Sequence, residues 1–166
     1  VDYSNDTATA SPKGPLSSNR RSMAGSSSHA DGLPTTQAGI VNYQPGTLST
    51  FNTGYFGGGA YNAVTTVDRI DYNNDTVAAS PKGPLSQART DLAATSSSSF
   101  GYFGGGYPQQ GGAGAVTTID RISYFNDTRT ASVKGPLRHV RVRHAATGNA
   151  DFGYFGGGQG PGLSPS

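Results

Sequence analysis

The side chains that could do chemistry in this chain are three histidines, ten aspartates and many serines, and their spacing predicts no active site. His139 and His144 lie five residues apart on a predicted strand, so they face opposite sides and would not share a metal ion. His29 stands far from both, and no serine lies in the Gly-x-Ser-x-Gly context of a hydrolase elbow. The chain has no cysteine, which excludes disulfides and thiolate metal sites. The sequence therefore predicts a protein that is not an enzyme, with no catalytic residue, cofactor or metal.

The aspartates recur at matching places instead of clustering. Asp68 and Asp120 stand beside Arg69 and Arg121 in two copies of the same short segment. A carboxylate repeated at one place in each unit is more typical of a turn or an ion pair than of a catalytic acid. We expect these residues to form exposed ion pairs with residues of adjacent units, and each such pair contributes roughly 0–1 kcal/mol to stability.

The tripeptide Asn-Asp-Thr occurs three times, at Asn5, Asn74 and Asn126. It fits the acceptor sequence for N-glycosylation. It also fits a turn in which Asn and Asp side chains bond their own backbone, and the turn explains the recurrence without a sugar. Both interpretations stay open.

These motifs belong to a repeated unit. Gly-Tyr-Phe-Gly-Gly-Gly begins at Gly54, Gly101 and Gly153, and Lys-Gly-Pro-Leu begins at Lys13, Lys82 and Lys134. The glycine block recurs after 47 and then 52 residues, and Lys-Gly-Pro-Leu recurs after 69 and then 52. Repeats near 40–50 residues are typical of propeller blades or solenoid turns. No helix is predicted after the glycines, which argues against a phosphate-binding loop.

Within a unit the pattern predicts four short strands. Residues 87–95 and 100–105 form the first two in the second unit, and Gly148-Asn149 predicts a two-residue hairpin turn in the third. Residues 65–72 and 117–124 are rich in β-branched and aromatic residues and predict the third strand. Residues 76–80 predict a fourth, ended by Pro81. Tight hairpins in every unit favour antiparallel propeller blades over a solenoid.

Composition limits the partners. Charged residues make up only 13% of the chain, with a net charge of +2, and aliphatic residues are too sparse for a helical core. Residues 138–144 alternate Arg and Val, which favours a half-exposed strand over a groove for nucleic acid. No run approaches the roughly 18 apolar residues of a membrane span. The sequence predicts neither nucleic-acid binding nor a membrane span.

The aromatic residues of the glycine blocks are the predicted packing centres, since each ring can bury on the order of 150–250 Å². We expect them to hold neighbouring units together, along with the repeated arginines already named. The positions are Tyr55, Phe56, Tyr102, Phe103, Tyr154, Phe155, Arg69 and Arg121.

The unit boundaries predict one repeat array over residues 1–158 and a linker or tail over residues 159–166. The first unit is 22 residues longer than the others, and this insertion lies within residues 25–53. The chain starts inside a third strand and ends after a second strand, so its two ends together nearly complete one unit.

The order of these motifs resembles a kelch repeat: a strand ending in Gly-Gly, a Val-Asp-Arg-Ile-Asp-Tyr strand, an Asn-Asp-Thr turn, a Pro-Leu step and an Arg. Positions that carry the resemblance in the second copy include Arg69, Tyr72, Asn74, Leu85 and Arg89. The kelch pattern usually has a Trp after the turn, where this chain has Ala8, Val77 and Arg129. The resemblance implies an all-β fold of kelch-like propeller blades with four antiparallel strands each. About three repeats are present, fewer than the usual 4–8 blades, which implies part of a larger or oligomeric propeller.

The amino-acid sequence of the repeats is also similar to that of kelch-like repeats in predicted structural and tail proteins of tailed phages. That resemblance implies a structural or adhesive scaffold of a phage-like particle, in its tail or fibre, located on the virion or outside the cell. Its partners would be other copies, further repeats, other virion subunits or host-surface molecules. The alternative is a cellular or secreted kelch-like module for protein interaction.

Overall fold

The computed structural model describes residues 9–27, 52–59, 62–108, 114–149 and 151–160, and this part of the chain is all-β. The only helical turns in it are two 3₁₀ turns, Tyr72–Asn74 and Tyr124–Asn126. None of its helical segments has the length and apolar character needed to cross a membrane. The strands are β1 (Ala24–Ser27), β2 (Thr53–Gly57), β3 (Val67–Asp71), β4 (Ser80–Pro81), β5 (Ala93–Ser96), β6 (Phe100–Gly104), β7 (Ile119–Ser123), β8 (Ser132–Lys134), β9 (Ala145–Gly148) and β10 (Gly153–Gly156).

The strands form three antiparallel sheets in sequence order. The first sheet runs β1-β2-β3-β4 and the second runs β5-β6-β7-β8, while the third contains β9 and β10 among the described residues. The first two sheets share their register, since Phe56 faces Asp68 across β2–β3 and Phe103 faces Asp120 across β6–β7. The all-β prediction and the four-stranded antiparallel unit are confirmed for these two sheets.

Several predicted boundaries shift. The fourth strand of the first sheet is Ser80–Pro81 rather than residues 76–80, and Pro81 pairs with Asp68. A proline is tolerated there because β4 is the outer strand and needs no N–H on its free side. The loop between β9 and β10 is longer than the predicted two-residue turn, since Gly148 pairs with Gly153.

The Arg/Val alternation of residues 138–144 does not form the predicted strand. This segment is irregular apart from one bridge between Val142 and Gln159, and β9 begins only at Ala145. Arg143 has a φ of 51°, which breaks the extended conformation that a strand requires. Alternation alone was misleading here because it is also produced by a loop that buries every second side chain.

Two structural features explain the glycines at the end of the Gly-Tyr-Phe-Gly-Gly-Gly block. Its fourth residue lies in the strand beneath an aromatic ring of the next sheet: a Cβ on Gly57 would stand 2.7 Å from Cε1 of Phe103. The last two glycines end the strand in the left-handed region, with φ values of 69° and 89° at Gly58 and Gly59. Side chains other than hydrogen are disfavoured in both settings.

The sheets pack against one another through their first strands, since β1 contacts β5 and β5 contacts β9. The main hydrophobic cluster lies between the first and second sheets. It consists of Ala24, Tyr55, Val67, Leu85, Leu92, Phe103, Ile122, Tyr124 and Ala131. The rings that close this gap come from both sheets, so each sheet is stabilised by its neighbour.

The insertion of the first unit falls between β1 and β2. Gly25 to Ser27 and Thr53 belong to strands, so the extra residues are confined to 28–52, of which 28–51 lie outside the described residues. The strands on both sides of it keep the hairpin register of the second sheet: Ser27 pairs with Gly54 as Ser96 pairs with Gly101.

Candidate interaction surface

Each four-stranded sheet carries a buried arginine–aspartate pair at the same place. Nη2 of Arg89 contacts Oδ2 of Asp120 at 2.7 Å, and both side chains are wholly buried. Nη1 of Arg89 also donates to the carbonyl oxygens of Gly105 and Thr118, at 2.6 and 2.9 Å. Burial lowers the pKa of Arg89, and the Asp120 carboxylate opposes that shift. The charge is tolerated because both terminal nitrogens of Arg89 donate to buried acceptors, whereas Nε of Arg89 and Oδ1 of Asp120 have no partner among the described residues.

The first sheet repeats this arrangement with Arg20 and Asp68. Arg20 donates to Asp68 and to the carbonyl oxygens of Gly58 and Thr66, and the Arg20 and Asp68 side chains are 1% and 0% exposed. The hydroxyl of Ser17 donates to the same carboxylate at 2.7 Å. The arginine therefore joins the loop before the first strand to the end of the second strand and to the third strand.

The prediction of exposed ion pairs between adjacent units is wrong for Asp68 and Asp120, because both carboxylates are buried and pair with Arg20 and Arg89 within their own sheets. Adjacent residues of a strand point to opposite faces, so a carboxylate cannot meet the guanidinium next to it. Two features of the sequence were available signals of the true partners. Alternation along the strand separates each aspartate from the arginine next to it, and an arginine stands four residues after the leucine of each Lys-Gly-Pro-Leu. The buried partners Arg20 and Arg89 were in the repeat pattern, but no role was assigned to them.

Arg69 does form an ion pair between sheets, with a different carboxylate. Its Nη1 contacts Oδ2 of Asp127 at 2.8 Å, and Asp127 lies just after the third strand of the second sheet. The hydroxyl of Tyr55 donates to the same oxygen at 3.1 Å, and the Tyr55 ring stacks on Tyr124 with centroids 5.0 Å apart. Burial, the largest cause, raises the pKa of Tyr55 to about 12. Four side chains thus close the junction between the first and second sheets.

The Lys-Gly-Pro-Leu segments link successive units through backbone hydrogen bonds. The Gly14 amide donates to the carbonyl of Asp75 at 2.6 Å, and the Gly83 amide donates to the carbonyl of Asp127 at 2.7 Å. In both cases the acceptor belongs to the Asn-Asp-Thr turn of the following unit. Each turn therefore receives contacts from the unit before it, which gives the recurrence of Asn-Asp-Thr a structural role.

The third copy of these features is incomplete. Arg141, the equivalent of Arg20 and Arg89, donates to the carbonyl of Gly157 at 2.5 Å and pairs with no carboxylate among the described residues. Arg121, the equivalent of Arg69, has its guanidinium carbon 4.1 Å from the centroid of the Phe100 ring. A Cβ on Gly135, the equivalent of Gly14 and Gly83, would meet no atom within 4 Å. These three places lie on the side of the molecule that no described unit covers.

Burial of the tyrosines decreases from the first sheet to the third, whereas of Phe56, Phe103 and Phe155 only Phe103 is fully buried. Tyr55 and Phe103 are 1% and 0% exposed, whereas Phe56, Tyr102 and Phe155 are half-buried. Tyr154, expected to pack like the others, is 59% exposed, and Phe152 beside it is 63% exposed. The exposure arises because nothing in the described chain lies over β10 where the next unit would be.

A cleft opens between the second sheet and the β9–β10 hairpin, with a volume of about 270 Å³. Its walls include Thr95, Tyr102, Ile119, Phe152 and Phe155. Tyr102 here occupies the position that Tyr55 has in the preceding sheet, where Tyr124 fills the corresponding space. The cleft is therefore the place where an aromatic side chain from a further third strand would pack.

Two of the three histidines, His139 and His144, lie in the part of the chain that the structure describes, and His29 lies outside it. His139 is exposed and His144 is buried, and among the described residues no three His, Cys, Asp or Glu side chains are grouped to hold a metal ion. His144 takes the position of Leu92 and Met23 in the earlier units, as shown by the glycines it packs on. Neither of its ring nitrogens has a partner within the described ranges, and burial lowers its pKa, with a smaller contribution from Arg141.

Two of the three Asn-Asp-Thr asparagines, Asn74 and Asn126, lie at exposed turns. Asn74 and Asn126 each end a 3₁₀ turn, and their side-chain oxygens accept from the hydroxyls of Thr76 and Thr128, at 3.5 and 3.1 Å. Asn5 lies outside the described residues. These bonds join two side chains, whereas the predicted turn bonds a side chain to the backbone; the bond of that kind at the first turn is made by the Asn73 amide, which donates to Oδ1 of Asp71. The exposed side chains of Asn74 and Asn126 leave the glycosylation interpretation open.

Comparison with protein-family models and with curated proteins gave no match. Function must therefore be argued from the surfaces described above.

Proposed function

We propose that this chain is a non-catalytic scaffold of kelch-like propeller blades and that it serves as a structural or adhesive component of a phage-like particle, in its tail or fibre. The observation that supports a scaffold is the repeated junction. Turn contacts and the packing of a phenylalanine ring on a glycine recur between successive units, and a buried Arg–Asp pair joins the strands within each four-stranded sheet. Such a design extends by addition of units, as repeat proteins do.

The assignment to blades is supported by sheet geometry. Each complete sheet is a four-stranded antiparallel meander, and first strands contact first strands from sheet to sheet. Radial packing of this kind is typical of propellers. The assignment to a particle depends on the sequence resemblance alone, and fold does not imply function.

Location tests the particle assignment. We expect the protein to co-purify with intact particles and gold-labelled antibody to mark their tail or fibre in electron micrographs. Its absence from purified particles, with retention in the cell or medium bound to another protein, would instead support the cellular or secreted interaction module. Class averages of the purified protein would count the blades independently of that outcome.

The insertion offers a second test, of adhesion. Replacing residues 28–53 by Ser-Ser-Ser-Phe gives the first unit the loop that joins β5 to β6, where residues 97–100 have this sequence. Because Ser27 and Gly54 already pair as Ser96 and Gly101 do, we expect an unchanged unfolding midpoint but weaker binding to host surfaces or other subunits. An unfolded variant would show that the insertion is part of the core.

A further inference from the structure

The open side of the third unit has the features of a binding site for one particular kind of strand. Two filled versions of the site exist in the same molecule, so its ligand can be derived by comparison. In the second sheet, β7 lies beside β6 and places Asp120 against Arg89, with Tyr102 opposite Arg121 across the strand pair. In the third sheet, β10 has the same Gly-Tyr-Phe-Gly sequence, and no described strand lies on its outer side.

We propose that β10 and Arg141 form an acceptor site for an extended strand of the type Thr-Thr-Ile-Asp-Arg-Ile, supplied by another repeat of the same kind. The incoming strand would add to the edge of β10 by backbone hydrogen bonds, a known mode of peptide recognition. The inference rests on the proposed scaffold function, in which repeats associate edge to edge.

Charge selects the position of the strand. Arg141 is anchored to the carbonyl of Gly157 as Arg89 is anchored to that of Gly105. Arg89 binds in addition the Asp120 carboxylate of β7 and the carbonyl of Thr118 just before β7, and a third strand beside β10 would supply the same two groups. The register of β6 with β7, transferred to β10, puts the aspartate of the incoming strand opposite Phe155. Since a one-residue slip would turn the aspartate to the other face, Arg141 fixes the register.

The turn that follows the strand has its own contacts. In the closed junction Asp127 accepts from Arg69 and Tyr55, and Tyr124 stacks on Tyr55. On the open side, Arg121 and Tyr102 are the equivalent groups, and the cleft of about 270 Å³ beside Tyr102 is the place for the incoming tyrosine. The ligand therefore extends past the strand to a Tyr-x-Asn-Asp-Thr turn.

Exposed apolar surface gives a third argument. Phe152 and Tyr154, at and beside the start of β10, are 63% and 59% exposed. Their equivalents Phe100 and Tyr102 are half-buried beside β7. Aromatic side chains exposed at a free strand edge mark an interaction site or an aggregation hazard, and a pairing strand would cover them.

The test uses a labelled synthetic peptide with the sequence of residues 117–128, Thr-Thr-Ile-Asp-Arg-Ile-Ser-Tyr-Phe-Asn-Asp-Thr, titrated with the full chain and followed by fluorescence anisotropy. We expect saturable binding. Changing the peptide aspartate that corresponds to Asp120 to asparagine should weaken binding by about tenfold or more, because the lost bond joins two charged groups. A scrambled peptide of the same composition should not bind.

Arg141→Gln should weaken binding of the original peptide by a similar factor and should cause little further loss with the asparagine peptide, since both changes remove the same contact. Arg129→Gln is the matched control, because Arg129 is exposed, its backbone lies against Gly83 between the first two sheets, and the substitution removes the same charge. Circular dichroism and urea unfolding would check that both variants fold, and the peptide substitution leaves the protein unaltered.

No binding at about millimolar peptide to a folded chain would overturn the acceptor site. Equal binding of the original, asparagine and scrambled peptides would also overturn it, as would equal losses in Arg129→Gln and Arg141→Gln. These results would leave the scaffold function to be decided by its location on particles, so the two proposals fail separately.

Discussion

The junction between the first and second sheets and the junction between the second and third are built from the same residue types but differ in what covers them. At the first junction Tyr55 is buried, stacks on Tyr124 and shares Asp127 with Arg69. At the second, Tyr102 is half-buried beside a cleft, and Arg121 lies over the ring of Phe100. A repeated sequence therefore does not guarantee a repeated environment, because the neighbouring unit supplies half of each junction.

The difference has an energetic consequence. A buried ion pair such as Arg89–Asp120 is stable only while both partners are present, since removing one leaves an uncompensated charge. Arg141 avoids this cost because its side chain remains partly exposed to water. The third unit can therefore stay folded with its site open.

The largest expected effect is on the free energy of unfolding, when the phenylalanine at each junction is replaced by alanine. Phe103→Ala should lower the free energy of unfolding by roughly 3–5 kcal/mol, because Phe103 is fully buried against Gly57. Phe155→Ala removes the same atoms from a half-buried site and should cost clearly less. Urea unfolding of the purified variants measures both, and equal losses would contradict the contrast between the closed and open junctions.

An intermediate effect on stability is expected when the equivalent glycine of β2, β6 or β10 is replaced by alanine. A Cβ on Gly57 would stand 2.7 Å from a ring carbon of the buried Phe103, a Cβ on Gly104 would stand 2.8 Å from one of the half-buried Phe155, and a Cβ on Gly156 would meet nothing within 4 Å. Gly57→Ala should therefore cost about 1–3 kcal/mol, and Gly104→Ala less because its ring can move.

Gly156→Ala serves as the matched control and should stay within about 0.5 kcal/mol of the parent chain. Thermal or urea unfolding gives the order. If Gly156→Ala were as damaging as Gly57→Ala, the glycine would be required by the strand itself rather than by the ring of the next sheet.

The smallest effect concerns pH and the residue that replaces a leucine in the third unit. Burial, and then the charge of Arg141, lower the pKa of His144 below its ordinary 6.5. The unfolded chain takes up a proton near pH 6.5 while the folded chain does not. Stability should therefore be full above about pH 6.5 and should fall as the pH drops toward the folded pKa.

His144→Leu, which copies Leu92 of the second unit, should remove this part of the pH dependence of the unfolding midpoint. His139→Gln changes an exposed histidine and should leave it in place. The same decline between pH 7 and 5 in His144→Leu and the parent chain would assign the pH dependence to other groups.

The repeated unit and its all-β class could be predicted from the recurring blocks alone. The recurring blocks gave the number of units, the strands around Asp68 and Asp120, and the turns at Asn74 and Asn126, because hydrophobic alternation and turn residues act locally. It also located the first-unit insertion. Alternation could not predict that residues 138–144 are irregular. Their pattern favours a strand, but a positive φ at Arg143 interrupts the extended backbone.

The pairing of each arginine with its aspartate depends on how the strands and sheets pack and could not be predicted from the sequence. Asp68 and Arg69 are neighbours in sequence, yet they face opposite sides of β3 and bind partners 48 and 58 residues away, Arg20 and Asp127. Pairing at that distance depends on how strands and sheets are placed, which no local pattern encodes. Arg141 has no carboxylate partner among the described residues, and in the proposed acceptor site a strand of another repeat supplies it.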